Sequence, residues 1–163
     1  MIGSPAKTWD SYKDLLLVIF DEFHPKKVIE FGSGMSTYTI SDRVEELITV
    51  EHDENWFVKI PKKENIKAFL HKEYEPYREE IFNHGRFDLV FIDGNERQQL
   101  LMMAEGVTDL VLLHDADRFE YKQFIDNYTY HVWNDAGCTV ALTNDGEIYD
   151  RLRTAYENRD SSI

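Results

Sequence analysis

The chain holds a single cysteine, Cys138, so no intrachain disulfide can form. A reducing compartment is the simpler expectation, with the cytoplasm as the expected location and Cys138 as a small buried residue of a late strand. No run of 18 apolar residues occurs, and the first residues lack the basic-then-apolar pattern of a secretory leader. No membrane partner is therefore expected. Positive charge is scarce as well: 18 Lys and Arg stand against 31 Asp and Glu, for a net charge of −13. A phosphate backbone would repel such a chain, and the longest basic runs are the pairs Lys26-Lys27 and Lys62-Lys63. Nucleic acid is thus not an expected partner either. Also missing are any internal repeat, any low-complexity tract and the Gly-Lys-Ser/Thr of a triphosphate-binding loop.

What is present suits one folded domain over residues 1–163, standing alone or excised from a longer chain: 42% of the residues are hydrophobic. Residues 9–23 place Trp9, Tyr12, Leu15, Leu16, Ile19, Phe20 and Phe23 at helical spacing, and His24-Pro25 ends that helix. Apolar runs then recur about every twenty residues, at Lys27–Phe31, Leu47–Glu51, Ile66–Leu70, Phe87–Asp93 and Asp109–Leu113. Polar or amphipathic stretches separate them, which predicts βαβ units and a parallel sheet covered on both faces. Residues 71–86 are expected to hold a loop and a short helix. Tyr128–Trp133 and Cys138–Thr143 flank Asn134-Asp135-Ala136-Gly137, turn chemistry that predicts an antiparallel hairpin at the sheet edge. A last helix is expected over Ile148–Tyr156. The fold class is therefore α/β, a Rossmann-like, doubly wound, mostly parallel sheet with a C-terminal edge hairpin.

In such sheets ligands bind beyond the carboxyl ends of the strands. Those ends carry Glu30-Phe-Gly32-Ser33-Gly34, Glu51-His52-Asp53, Asp93-Gly94 and His114-Asp115-Ala116-Asp117, so four of five strands bring acids to one edge. Gly32 and Gly34 allow a tight bend close to a ligand. Glu51, seventeen residues after Gly34, suits a ribose diol, whose hydroxyls both donate to one carboxylate. A dinucleotide would call for a third glycine near Thr37. An acid before the glycines, here Glu30, suits a cationic nucleoside instead.

These residues resemble a known family. Glu30-Phe-Gly-Ser-Gly-Met-Ser-Thr37 is similar to motif I of class I S-adenosylmethionine-dependent methyltransferases, and Val50-Glu-His-Asp53 is similar to their second acidic motif. The resemblance covers roughly residues 27–133. Together with Ile92-Asp-Gly-x-x-Arg97 and His114-Asp-x-x-Arg118, it narrows to small sugar O-methyltransferases of the glucuronoxylan type. It implies S-adenosylmethionine as cofactor, with Glu30 and Gly32 by its methionine part, Ser33, Gly34, Ser36 and Thr37 around the turn, Glu51 on the ribose, His52 beside the adenosine and Asp93 also among the cofactor-binding residues. It also implies methyl transfer to a hydroxyl of a glycan or other small acceptor, with an amine acceptor or a non-catalytic binding module as alternatives. Many members fix adenine with a small–acidic pair after strand three, where this chain reads Phe69-Leu-His-Lys-Glu73.

A sugar hydroxyl needs a base or a metal to take its proton. One reading makes Asp93 or His114, with Asp115 beside it, the catalytic group. The other has Asp93, Asp115 and Asp117 hold Mg2+ or Mn2+. Arg97 and Arg118 serve either the acceptor or the neighbouring acids. Tyr74, Tyr77 and Trp133 stack on a sugar or pack, and Trp9 and Tyr12 cover the cofactor or join the core. His71, His84 and His131 lack ligand spacing. The oligomeric state is not legible in the sequence.

Overall fold

The computed structural model describes residues 7–159. Seven strands form one sheet in the order β3-β2-β1-β4-β5-β7-β6. They are β1 (Lys27–Phe31), β2 (Glu46–Glu51), β3 (Ile66–Leu70), β4 (Leu89–Ile92), β5 (Val111–His114), β6 (Tyr130–Trp133) and β7 (Thr139–Thr143). The first five run parallel. β7 returns antiparallel to β5, and β6 pairs antiparallel with β7 at the edge. The expected architecture, hairpin included, is therefore what the chain adopts.

The helices are α1 (Lys13–Phe23), α2 (Met35–Ser41), α3 (Glu54–Phe57), α4 (Tyr74–Glu79), α5 (Arg97–Ala104), α6 (Lys122–Ile125) and α7 (Gly146–Asn158). Strand alternation sorts the core into two layers. Ile29 and Phe31 of β1 pack with Tyr77 of α4, Leu100 and Leu101 of α5 and Ile125 of α6. Val28 packs with Leu15, Leu16 and Ile19 of α1, Ile40 of α2 and Leu152 of α7. Each such fully buried aliphatic side chain contributes about 1.5–3 kcal/mol by leaving water.

α1 ends as Pro25 requires: His24 takes a left-handed conformation and its N–H bonds Phe20 O at 3.1 Å. Its start falls four residues later than the apolar periodicity suggests. The Thr8 N–H donates to Ser11 Oγ at 2.6 Å and Thr8 Oγ1 to Asp10 Oδ1 at 2.6 Å, so side chains draw this segment into a turn. Trp9 is consequently off the helix and 69% exposed, while Tyr12 is buried. α7 extends further than expected in both directions, its first turn capped by Asp145 accepting from Glu147 N at 2.9 Å.

α1 is also tied to the chain's far end. Tyr156 OH donates to Asp14 Oδ2 at 2.7 Å, and Asn134 Nδ2 donates to Ser11 O at 2.6 Å. Among the described residues no helix is long and apolar enough to cross a membrane.

Candidate functional site

The carboxyl ends of β1, β2, β4 and β5 open on one cavity of about 650 Å³, roofed by the turn before α1. The β1–α2 bend forms its floor. Gly32, at φ +92°, donates its N–H to Val50 O at 2.9 Å. A Cβ there would sit 2.6 Å from Asp93 O, and a Cβ on Gly94 would overlap the Tyr77 hydroxyl. The bends after β1 and β4 thus touch at two glycines, which brings Asp93 to the cavity wall. Gly34 has extended backbone (φ 166°) and nothing within 4 Å of where its Cβ would lie.

Glu51 borders the cavity, though only 2% of the residue is exposed. Its Oε2 accepts from Ser33 N at 2.7 Å and Ser33 Oγ at 2.8 Å, and its Oε1 accepts from His52 N at 2.9 Å and Asp53 N at 3.0 Å. His52 Nδ1 lies 3.1 Å from Oε1, buried and without a hydrogen-bond partner among the described residues.

Glu30 is placed differently from the expectation that it meets a ligand's charge. It belongs to the β1 face that packs on α2, is fully buried and does not line the cavity. Its carboxyl accepts from Ser36 Oγ, from Thr37 Oγ1 at 2.8 Å and from Thr49 Oγ1 at 2.8 Å. Thr37 also stays behind the cavity wall, and Ser36 alone of these reaches it. Glu30 and Thr37 are therefore positioning residues that hold α2 against β1 and β2. Burial pushes the Glu30 carboxyl up to about 7 against the three hydroxyls' pull. Between its ordinary value and about 7 the folded state keeps a proton the unfolded chain has lost, so this group's contribution to stability falls as pH rises. Thermal melts from pH 5 to pH 8 are expected to show that decline, and Glu30→Gln to reduce it, leaving the share that Asp93 contributes.

The far wall carries Asp93, His114 and Asp115, with one donor atom from each lying within 4.8 Å of the others. Arg97 organises them. Its Nε donates to Gly94 O at 2.7 Å and its Nη1 to His114 O, and its Nη2 lies 3.7 Å from Asp93 Oδ1 and 3.8 Å from Asp115 Oδ2. Burial pushes Asp93 up to about 7, although the Arg97 guanidinium opposes this. Burial lowers His114, whose Nδ1 lies 3.0 Å from Thr139 Oγ1, so its ring is neutral at pH 7. Burial works against the charge of Asp115, but Lys7, His114 and Arg97 outweigh it and hold that carboxyl low.

The expected metal set of Asp93, Asp115 and Asp117 does not assemble. Asp115 has φ +54°, and Asp117, which does not line the cavity, accepts from Lys7 Nζ at 3.0 Å, the same ammonium that lies 3.0 Å from Asp115 Oδ1. His114 takes the third place. Arg97 and Lys7 already supply positive charge to these carboxylates, so the group does not fit a resident divalent cation and no metal enters the chemistry derived below.

Several lining residues carry no sequence signal of a role. Lys7 and Thr8 precede α1, and Met35 and Trp56 sit where α2 and α3 begin. An exposed aromatic five residues beyond Glu51 was the only available hint for Trp56. The segment after β3 does not reach the cavity; His71 and His84 instead place their Nε2 atoms 3.8 and 3.5 Å from the two oxygens of buried Glu80. Trp133 lines a separate cleft with Phe119, and Tyr77 is fully buried core.

No family model and no curated protein sequence matches the chain. Solved structures do match it. A methyltransferase-like protein from Silicibacter pomeroyi is 16% identical, covering 93% of this chain and 97% of its own, with a TM-score of 0.58. The ribosomal protein L11 methylase from Lactobacillus delbrueckii subsp. bulgaricus is 10% identical over 83% of this chain and 78% of its own, with a TM-score of 0.56. The N-terminal domain of EvdMO1, solved in the presence of SAH and D-fucose, is 17% identical over 92% of this chain and 74% of its own, with a TM-score of 0.50. The fold is thus the Rossmann-like fold found in S-adenosylmethionine-dependent methyltransferases, with antiparallel strands at one edge.

Proposed function

We propose that this protein is an S-adenosylmethionine-dependent O-methyltransferase acting on a sugar hydroxyl of a glycan. One observation carries the reading: Glu51, the Gly32–Gly34 bend and Asp93 border the same cavity. The residues suit the cofactor. The cavity has the volume of a small-ligand site, Gly34 leaves free space where a side chain would intrude, and the buried Glu51 carboxylate borders it at the end of β2. The sugar acceptor is supported by the residues shared with sugar methyltransferases and by the EvdMO1 domain solved with D-fucose.

When bound, S-adenosylmethionine supplies an electrophilic methyl group on a positively charged sulfur. The protein's part is to orient and to accept a proton. Glu51 holds the sugar end of the nucleoside. Asp93 would take the acceptor's hydroxyl proton onto a carboxylate oxygen. A carboxyl with a pKa near the working pH is well matched to this task. Arg97 fixes the β4 and β5 ends and keeps part of the Asp93 population ionised. The turn carrying Trp9 and the buried Tyr12 closes the cavity from above.

Calorimetric titration with S-adenosylhomocysteine tests the cofactor site, and heat-silent mixing would count decisively against it. The pH profile tests the base. Because the ionised form of Asp93 is the active one, turnover rises as pH climbs through about 7. Asp93→Asn is expected to lower kcat by about 10²- to 10⁴-fold while retaining S-adenosylhomocysteine binding. Arg97→Ala removes the charge that lowers Asp93, so the midpoint of the profile moves to higher pH.

A further inference from the structure

We propose that the Ser33 hydroxyl is a stand-in for one hydroxyl of the bound ligand's sugar, occupying its place on Glu51 and leaving when the ligand enters. The inference rests on the reading of the cavity as a nucleoside cofactor site and specifies how the sugar is read there.

A carboxylate offers about four acceptor positions. Those of Glu51 are all taken, two on each oxygen. A ribose diol cannot simply be added to it. Three of the four donors are main-chain N–H groups that cannot withdraw. Ser33 N is fixed in a bend braced by the Gly32 N–H on Val50 O. The N–H groups of His52 and Asp53 are set by the β2–α3 turn, where Asp53 itself caps α3 by accepting from Asn55 N at 2.8 Å. Ser33 Oγ alone is a rotor, and Ser33 lines the cavity beside the open space at Gly34. Rotation about one side-chain bond frees one site on Oε2.

That exchange makes room for one sugar hydroxyl, not two. The second finds a partner at His52 Nδ1, which is buried, has no hydrogen bond and lies beside the filled Oε1. The two hydroxyls of a vicinal diol are then read by different residues, and only one of them competes with Ser33. The hydroxyl also keeps Glu51 satisfied in the empty protein, where an under-bonded buried carboxylate would be costly.

The test is a thermodynamic cycle with S-adenosylhomocysteine and its 2′-deoxy and 3′-deoxy analogues, measured by calorimetry on wild type, Ser33→Ala and Ser33→Cys, with melting curves confirming that each variant folds. Ser33→Ala is expected to bind S-adenosylhomocysteine about three- to tenfold more tightly, because the ligand no longer displaces an internal hydrogen bond. One deoxy analogue loses that gain and the other keeps it. Ser33→Cys, a weaker donor of similar size, falls between wild type and Ser33→Ala. A uniform weakening of all three ligands by both variants overturns the proposal and makes Ser33 a direct ligand contact. Wild type that binds S-adenosylhomocysteine while Ser33→Ala gains nothing sinks the role of Ser33 alone. Wild type that binds none of the three sinks the cofactor reading with it.

Discussion

Glu51→Gln is expected to weaken S-adenosylhomocysteine binding by about 10- to 150-fold, since a hydrogen bond to a charged group is worth roughly 1.5–3 kcal/mol. The damage has two sources. An amide keeps one acceptor oxygen and turns its NH2 group toward main-chain N–H donors, either Ser33 N or the pair on His52 and Asp53. The bends after β1 and β2, which Glu51 joins, then lose their common acceptor. The same variant should therefore melt lower as well as bind worse. Calorimetry and a thermal melt together check it, and unchanged affinity would remove Glu51 from the binding site.

Gly32→Ala is expected to cost about 2–4 kcal/mol of stability, combining a left-handed backbone conformation with an overlap. Its φ is +92°, and the new methyl would lie 2.6 Å from Asp93 O, a backbone atom that moves only if the β4 end moves. Gly34→Ala provides the contrast two residues on. Its extended backbone accepts any residue, and open space surrounds the added carbon. Stability should fall by only about 1 kcal/mol, the cost of placing alanine at a helix N-cap. Ligand affinity should nevertheless fall, because that space is cavity. Denaturant titrations of the pair, alongside S-adenosylhomocysteine binding to Gly34→Ala, separate a glycine required by the fold from one required by the ligand.

The parts of the site that could be read from the sequence are those set by local pattern. Continuous apolar runs marked β1, β4 and β5, and the acid closing β2 marked Glu51. The place of Glu30 in the fold follows from strand parity. Residues alternate faces, so Glu30 shares the side of Val28, toward α2, where three hydroxyls await it. The pairing of Lys7 with Asp115 and Asp117 spans more than a hundred residues, and no local rule foretells it. Asp117 looked equivalent to Asp115 by spacing. Both meet the Lys7 ammonium at 3.0 Å, but only Asp115 lies in the group with Asp93 and His114.

The ties from Tyr156 to Asp14 and from Asn134 to Ser11 bear on how the protein is made. A ribosome delivers the amino end first, so the glycine bend and Glu51 emerge long before the residues that anchor the segment above them. Until Asn134 and Tyr156 have left the exit tunnel, the segment above the cavity lacks both of these anchors.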